Sequence, residues 1–398
     1  MNKDIKVLID DGKQIKLGTG IGKMSLYLYQ AMKEQAYNVS LVSQNIASSG
    51  RMKDRISYLK QINSKEYAEY LSQYDVVIYT NYAMPLRKNK STLYVAVIPD
   101  MVSFLYPQTL PTMYRYYNQL MIRNSVRRAD LVFTISKSVE KEIVEKFPKV
   151  SQRIRTTWLG LYDGICPLDA YPNYENPKLQ DIEKSEFFLF ISTVEKRKNV
   201  GFVLEAFIRL KNTSEKAQKY KIVIVGRPGY GYDEFVNIAK QSGYADDIIF
   251  SGYTSDSDCN RLYNHAKAFV FPTIYEGFGF AQIECMKCHL PIILSDIPTN
   301  REISREYGEF FELDKPETLV QKMRLFVNDE YDYQRKNRLA DQYIKDFEWK
   351  KIVEQYQARP AANIANEDAN TILPAAASPA ATPIMLPSAM PQSKKRSG

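Results

Sequence analysis

The chain has 398 residues, long for one domain and comfortable for two, and 44% of them are apolar, enough for two cores. It has no run of about 18 apolar residues, so no transmembrane helix is expected; Met1-Asn2-Lys3-Asp4 leads at once into a predicted strand, so no signal peptide is expected and the chain reads as cytoplasmic. The net charge of +8 is uneven, with 24 Lys+Arg against 15 Asp+Glu in residues 1–170 and 30 against 31 in the remainder; this suggests docking of the first half on an anionic membrane surface, against the plainer reading of a basic soluble domain, while no nucleic-acid motif accompanies it and no nucleic-acid partner is expected.

In chain order, Ile5–Asp10, Val39–Ser43, Val76–Thr80, Leu93–Ile98, Leu131–Thr134 and Ile154–Thr157 read as strands, with helices between several of them, including Lys23–Glu34 and Lys137–Phe147. Met113–Arg128 reads as a helix that is both aromatic and basic (Tyr114, Tyr116, Tyr117, Arg115, Arg123, Arg127, Arg128), suited to lining an acceptor cleft or touching anionic lipid, or else an ordinary surface helix. Gly160–Glu186 is rich in Pro, Asn, Tyr and Asp and has no clear period, which marks a junction. The second half repeats the alternation. Phe187–Ile191, Ile222–Val225, Ile248–Phe250, Phe269–Phe271 and Ile292–Leu294 are predicted strands, separated by helices near 200–210, 233–241, 256–265 and 279–287. Alternating strand and helix predicts an α/β fold of two doubly wound parallel sheets. The expected divisions are 1–165 for the first domain, 166–184 for a linker, 185–345 for the second domain and 346–358 for a terminal amphipathic helix. Residues 359–398 are dominated by Ala, Pro and Ser and read as a disordered tail.

Two carboxylates, Glu276 and Glu284, bracket the loop Gly277-Phe278-Gly279-Phe280-Ala281 between a predicted strand and a predicted helix, the geometry in which backbone N–H groups face a phosphate. Arg197 and Lys198 follow another buried strand and precede a helix. They set two adjacent cations between a strand and a helix, suited to an anionic ligand; a solvated basic turn is the competing reading of Lys196-Arg197-Lys198. Gly18-Thr19-Gly20-Ile21-Gly22-Lys23 follows the first strand, where glycines allow close backbone approach. The four cysteines are scattered. Cys285 and Cys288 have C-x-x-C spacing but fall near a helix end, and only two histidines exist, His265 and His289, so they read as ordinary helical cysteines.

The Glu276–Glu284 stretch resembles the E-x7-E signature of retaining, nucleotide-sugar-dependent glycosyltransferases of family 4, which have the two-domain GT-B fold. The basic stretch Ile191–Asn199 and the glycine loop at 18–23 are similar to that family's motifs and occur in its order, over roughly residues 1–358. The resemblance implies two Rossmann-like domains facing a cleft, with the C-terminal helix crossing back onto the first. It implies donor binding by Gly20, Ile21, Gly22, Phe278, Gly279, Phe280, Ala281 and Glu284, the last at the nucleotide ribose. It further implies catalytic roles for Asp100, Arg197, Lys198 and Glu276: the two cations grip the diphosphate, Glu276 lies nearer the sugar, and Asp100 orients the acceptor or sugar. The family often has a His before this Asp; here it is Pro99, so no histidine base is available, which a retaining front-face reaction tolerates. Asp256-Ser257-Asp258 resembles the metal motif of the other large glycosyltransferase fold, but it opens a predicted helix, where Asp is favoured as a cap. No metal and no cofactor are therefore expected, and a nucleotide-diphosphate sugar is the donor substrate.

The resulting expectation is a retaining glycosyltransferase moving a hexose to a glycan or lipid-linked acceptor in bacterial surface polysaccharide assembly, cytoplasmic and peripheral at the inner face of the membrane. Two rivals stay open. One is a sugar-nucleotide epimerase or hydrolase of the same fold. The other is a catalytically silent sugar-nucleotide-binding or scaffold protein, suggested by the missing histidine.

Overall fold

The computed structural model describes residues 5–12, 20–42, 52–161, 164–168 and 173–356. The region read as a tail, 359–398, lies outside the described residues, as do Gly18, Thr19 and Ser43. Two six-stranded sheets dominate. The first contains β1 (Val7–Asp10), β2 (Val39–Leu41), β3 (Val76–Tyr79), β4 (Leu93–Ile98), β5 (Leu131–Thr134) and β6 (Ile154–Thr156), in the order β2-β1-β3-β4-β5-β6. The second contains β7 (Glu186–Ile191), β8 (Tyr220–Val225), β9 (Ile248–Gly252), β10 (Ala268–Phe271), β11 (Ile292–Ser295) and β12 (Glu309–Phe311), in the order β12-β11-β10-β7-β8-β9. Neighbouring strands are parallel, as in the registers Val7↔Val76 and Phe188↔Ile222. Strands such as Val7–Asp10, Ala268–Phe271 and Ile292–Ser295 are buried at every position, because helices cover both faces of each sheet.

The helices are α1 (Gly20–Glu34), α2 (Met52–Ile62), α3 (Lys65–Leu71), α4 (Val102–Leu105), α5 (Thr112–Arg128), α6 (Lys137–Lys146), α7 (Val200–Thr213), α8 (Tyr232–Gln241), α9 (Asp256–His265), α10 (Phe280–Lys287), α11 (Pro298–Ser304), α12 (Pro316–Val327), α13 (Tyr333–Tyr343) and α14 (Trp349–Gln355). The fold is the expected pair of doubly wound α/β layers. Some details differ. Helix α1 begins at Gly20 and takes Gly20-Ile21-Gly22 into its first turn, where a loop was expected. Strand β1 begins at Val7 and β2 ends at Leu41. Strand β12 was not anticipated, because three residues leave no period to read.

Strand order places the site. In the second sheet the chain runs from β7 outward through β8 to β9, then returns to the other side of β7 with β10. The first sheet switches direction in the same way between β1 and β3. Ligands of open α/β sheets bind beyond the carboxyl ends of the strands at such switch points. The loops after β7 and β10 carry Arg197, Lys198 and Glu276, and those after β1 and β4 lead to Gly20 and Asp100. The two halves are joined at their edge as well. Glu302 of α11 accepts hydrogen bonds from the backbone N–H of Lys137 (2.7 Å) and Ser138 (3.0 Å) and from the Trp158 indole (2.8 Å), so it satisfies open donors at the start of α6. Helix α14 crosses back and packs on the first half. The Trp349 ring lies 6.4 Å from Tyr27 of α1, and Tyr356 lies 4.6 Å from Phe133 of β5.

Candidate active site

The chain leaves β7 and makes one 3-10 turn over Lys196–Lys198, ended by Asn199 in the left-handed region at φ 54°, a conformation Asn tolerates better than most residues. This turn sorts the three cations. Lys196 points outward to Glu234 at 3.1 Å, whereas Arg197 and Lys198 turn inward. Lys198 is buried, with its ammonium 4.9 Å from the Phe271 ring centroid.

Both inward cations meet one carboxylate. Glu276, in the loop after β10, accepts from Lys198 and from Arg197 Nη1 at 3.2 Å; the Thr273 hydroxyl donates to it at 2.9 Å. Arg197 also donates to the Tyr275 carbonyl at 2.9 Å and to Glu195 at 2.9 Å. Burial disfavours charge on Glu276, but the ammonium of Lys198 and the guanidinium of Arg197 outweigh it and hold the carboxyl below its ordinary range. Burial likewise opposes charge on Arg197, and Glu276, Glu195 and Asp100 raise it above its ordinary value.

Across the cleft stands Asp100, just beyond β4. Its carboxylate accepts from the Tyr82 hydroxyl (2.6 Å) and from the Val102 N–H (3.1 Å). Burial raises its pKa; Arg197 pulls it down and Glu276 adds to the rise, so the three groups share one field. The halves touch here: a Cβ added at Gly277 would lie 2.0 Å from the Pro99 carbonyl oxygen, so only glycine allows this approach. Asp100, Arg197, Lys198 and Glu276 are therefore brought together.

The donor-side candidates form a second group. Gly279 caps α10 at φ +87°, and Phe278 packs 5.8 Å from Phe280. Glu284 on α10 accepts from the Tyr263 hydroxyl at 2.6 Å. Burial raises the Glu284 carboxyl above its ordinary range, against the hydroxyl of Tyr263 and the ammonium of Lys23. Lys23 comes from the first turns of α1, together with Gly20, Ile21 and Gly22, and ion-pairs with Asp256 of α9 at 2.8 Å. At Gly20 no described atom lies within 4 Å of an added Cβ. Asp256 and Asp258 open α9 and lie in its first turn, as expected, but neither is its cap. Ser255 caps α9 by accepting from the Asp258 N–H at 3.2 Å. The buried Asp258 carboxylate accepts from the backbone N–H groups of Glu175 and Asn176, both at 2.9 Å, and so pins the segment ahead of β7.

Sequence reasoning missed the supporting residues. The Met101 N–H donates to the Tyr275 hydroxyl at 2.7 Å, and that hydroxyl donates to Glu142 at 2.7 Å, linking the loop of Glu276 to the first half. Burial pushes the Glu142 carboxyl up to about 7. Its nearest sequence signal is one more Glu in an amphipathic helix, which carries no such information. The histidines lie elsewhere: His289 pairs with Asp341 at 2.8 Å and His265 lies 3.7 Å from Glu183. Among the described residues no group of three or more His, Cys, Asp or Glu side chains could hold a metal ion.

Two parallel-sheet Rossmann-like domains meeting at a cleft, with a basic loop and an acidic loop at the switch point, define a GT-B protein. Residues 174–346 match the family model described as "Glycosyl transferases group 1". It is 27% identical over 260 residues to the O-antigen chain mannosyltransferase B of Escherichia coli, covering 64% of this chain and 66% of that protein. It is 28% identical over 229 residues to the O-antigen chain mannosyltransferase RfbU of Salmonella typhimurium, covering 57% and 58%. The chain thus spans just under two thirds or less of the length of these relatives. Among solved structures, sucrose-phosphate synthase from Thermosynechococcus elongatus has the same fold, with a TM-score of 0.68 at 14% identity over 88% of this chain and 97% of that one.

Proposed function

We propose that this chain is a retaining hexosyltransferase that moves a sugar from a nucleotide diphosphate to a hydroxyl of a glycan or lipid-linked acceptor in surface polysaccharide assembly. The relatives named as O-antigen mannosyltransferases put mannose first among the hexoses. The observation that carries the reading is the pair of inward cations, Arg197 and Lys198, held on Glu276 opposite Asp100. As the bond between the anomeric carbon and phosphate oxygen breaks, charge grows on the diphosphate, and fixed cations stabilise it more in the transition state than in the ground state. In the front-face reaction the acceptor oxygen attacks from the side the phosphate leaves, and the departing phosphate oxygen takes the acceptor's proton. That route has no need of a histidine base, in keeping with the distance of both histidines from these residues in the contact network.

Two cations in place of a bound divalent ion make the reaction metal-independent in this reading. On the donor side, Glu284 accepts ribose hydroxyls while the first turn of α10 and the α1 residues Gly20–Gly22 approach the nucleotide. The membrane part of the proposal rests on α5: Met113, Tyr116 and Leu120 lie on one face and are 68%, 59% and 60% exposed, with arginines beside them. The test is turnover of a nucleotide-sugar panel with a lipid-linked glycan acceptor, reading the product's anomeric configuration by NMR. Retained configuration with activity surviving EDTA is the expected result. An inverted product, or loss in EDTA restored by Mg²⁺ or Mn²⁺, would overturn it.

A further inference from the structure

Lys23 occupies a place that its own helix disfavours. It lies in the first turn of α1, which has no acidic residue, and a cation there faces the positive end of the helix dipole. Its partner is Asp256, on the other half of the chain and 233 residues away, at 2.8 Å. Asp256 has no capping duty, because Ser255 caps α9. Beside this pair stands Glu284, whose charge is felt by Lys23. The half-buried thiol of Cys259 lies in the same field: burial and the carboxylates of Glu284 and Asp256 push it up to about 12, against the pull of Lys23. Lys23, Asp256 and Glu284 thus form one cluster that joins α1 of the first half to α9 and α10 of the second.

We propose that Lys23 and Asp256 are positioning residues that clasp the two halves over the nucleotide of a bound donor, so that the first half of the chain contributes to donor retention. The clasp rests on the donor-site reading of Glu284 given above. With the ribose held at Glu284, a nucleotide sits behind the Lys23–Asp256 pair, and release requires the pair to part. Parting exposes an ammonium at a helix N-terminus to water without its counter-charge. Association also requires an open pair, so losing the pair speeds entry as well as release, and the dissociation constant rises by the extent to which the pair is more stable with nucleotide bound.

The test is calorimetric titration and stopped-flow release of UDP and GDP, using whichever binds the full chain more tightly, at low and at high salt. The proteins are the wild type, Lys23→Met, Asp256→Asn, the exchanged pair Lys23→Asp/Asp256→Lys, and Glu284→Ala. Circular dichroism and thermal melts verify folding. Each single change on the pair is expected to raise the dissociation constant roughly twofold to fivefold at low salt, the range of a partly exposed ion pair, with the difference shrinking at high salt. The exchanged pair is expected to recover most of the loss. An exchanged pair as weak as the singles would mean that Lys23 serves the nucleotide directly, and unchanged single variants would mean an idle surface pair; either overturns the clasp. Glu284→Ala separates the two levels: if it weakens binding while the pair variants do not, the clasp alone fails, and if it too binds normally the donor-site reading fails with it.

Discussion

Glu276 is shared by Arg197 and the buried Lys198, so one carboxylate holds both cations in place, as the proposed leaving-group role requires. Lys198→Ala should therefore lower turnover on the order of 100- to 1,000-fold while weakening whole-donor binding far less. Arg197→Ala is the companion variant, since it holds the same carboxylate. Near-normal turnover in both folded variants would remove the leaving-group role of this loop. Glu142 gives a second prediction. Its folded-state pKa of about 7 lies above the ordinary 4.5, so the native state binds the extra proton between those values. Its contribution to stability is therefore lost as pH rises from about 4.5 through 7. Relative to Glu142→Gln, the wild type should lose on the order of 3 kcal/mol between pH 4.5 and pH 8 in chemical denaturation. Parallel pH profiles for the two proteins would refute this. Neither Glu142 nor Tyr82 was legible in the sequence, because their partners Tyr275 and Asp100 lie 133 and 18 residues away and no local pattern encodes the contact.

At the scale of elements, strand content was readable because parallel strands covered on both faces leave unbroken apolar runs, as in Ala268-Phe269-Val270-Phe271. The loops were readable only as composition. Which two of Lys196, Arg197 and Lys198 face inward depends on a 3-10 turn and the left-handed Asn199, and neither has a period. Asp256 and Asp258 read alike in sequence, yet one reaches the first half and the other holds the segment before β7. The loop between β10 and α10 carries its own test at Gly277. Its neighbour is a backbone carbonyl of Pro99, which cannot swing aside as a side chain would. Gly277→Ala should push the two halves apart and lower turnover more than tenfold, with secondary structure intact by circular dichroism; wild-type activity would show that the close approach is dispensable.

For the whole molecule, the proposed membrane contact would draw on both the uneven charge and the exposed face of α5. The first half holds the excess of Lys and Arg, and Met113, Tyr116 and Leu120 stand out beside them. Binding to vesicles containing phosphatidylglycerol should fall as salt rises, since charges are screened over about 10 Å at 0.1 M. Leu120→Glu should weaken it further. Equal binding to neutral phosphatidylcholine vesicles would remove the electrostatic account. Among the described residues no helix is long and apolar enough to cross a membrane.

The return of α14 to the first half has a consequence for the order in which the protein is made. The first sheet is complete once Thr156 has emerged from the ribosome, but Tyr27 and Phe133 still lack the Trp349 and Tyr356 rings that cover them. Roughly 200 residues must follow, which takes about 10–40 s at ordinary rates of synthesis. Throughout that interval the nascent chain carries an open apolar seam on its first sheet and α1, and the seam closes when the α14 segment, the last helix among the described residues, arrives. A stop codon placed just before Trp349 should therefore yield a chain that captures chaperones through its first half, although every strand of both sheets is present.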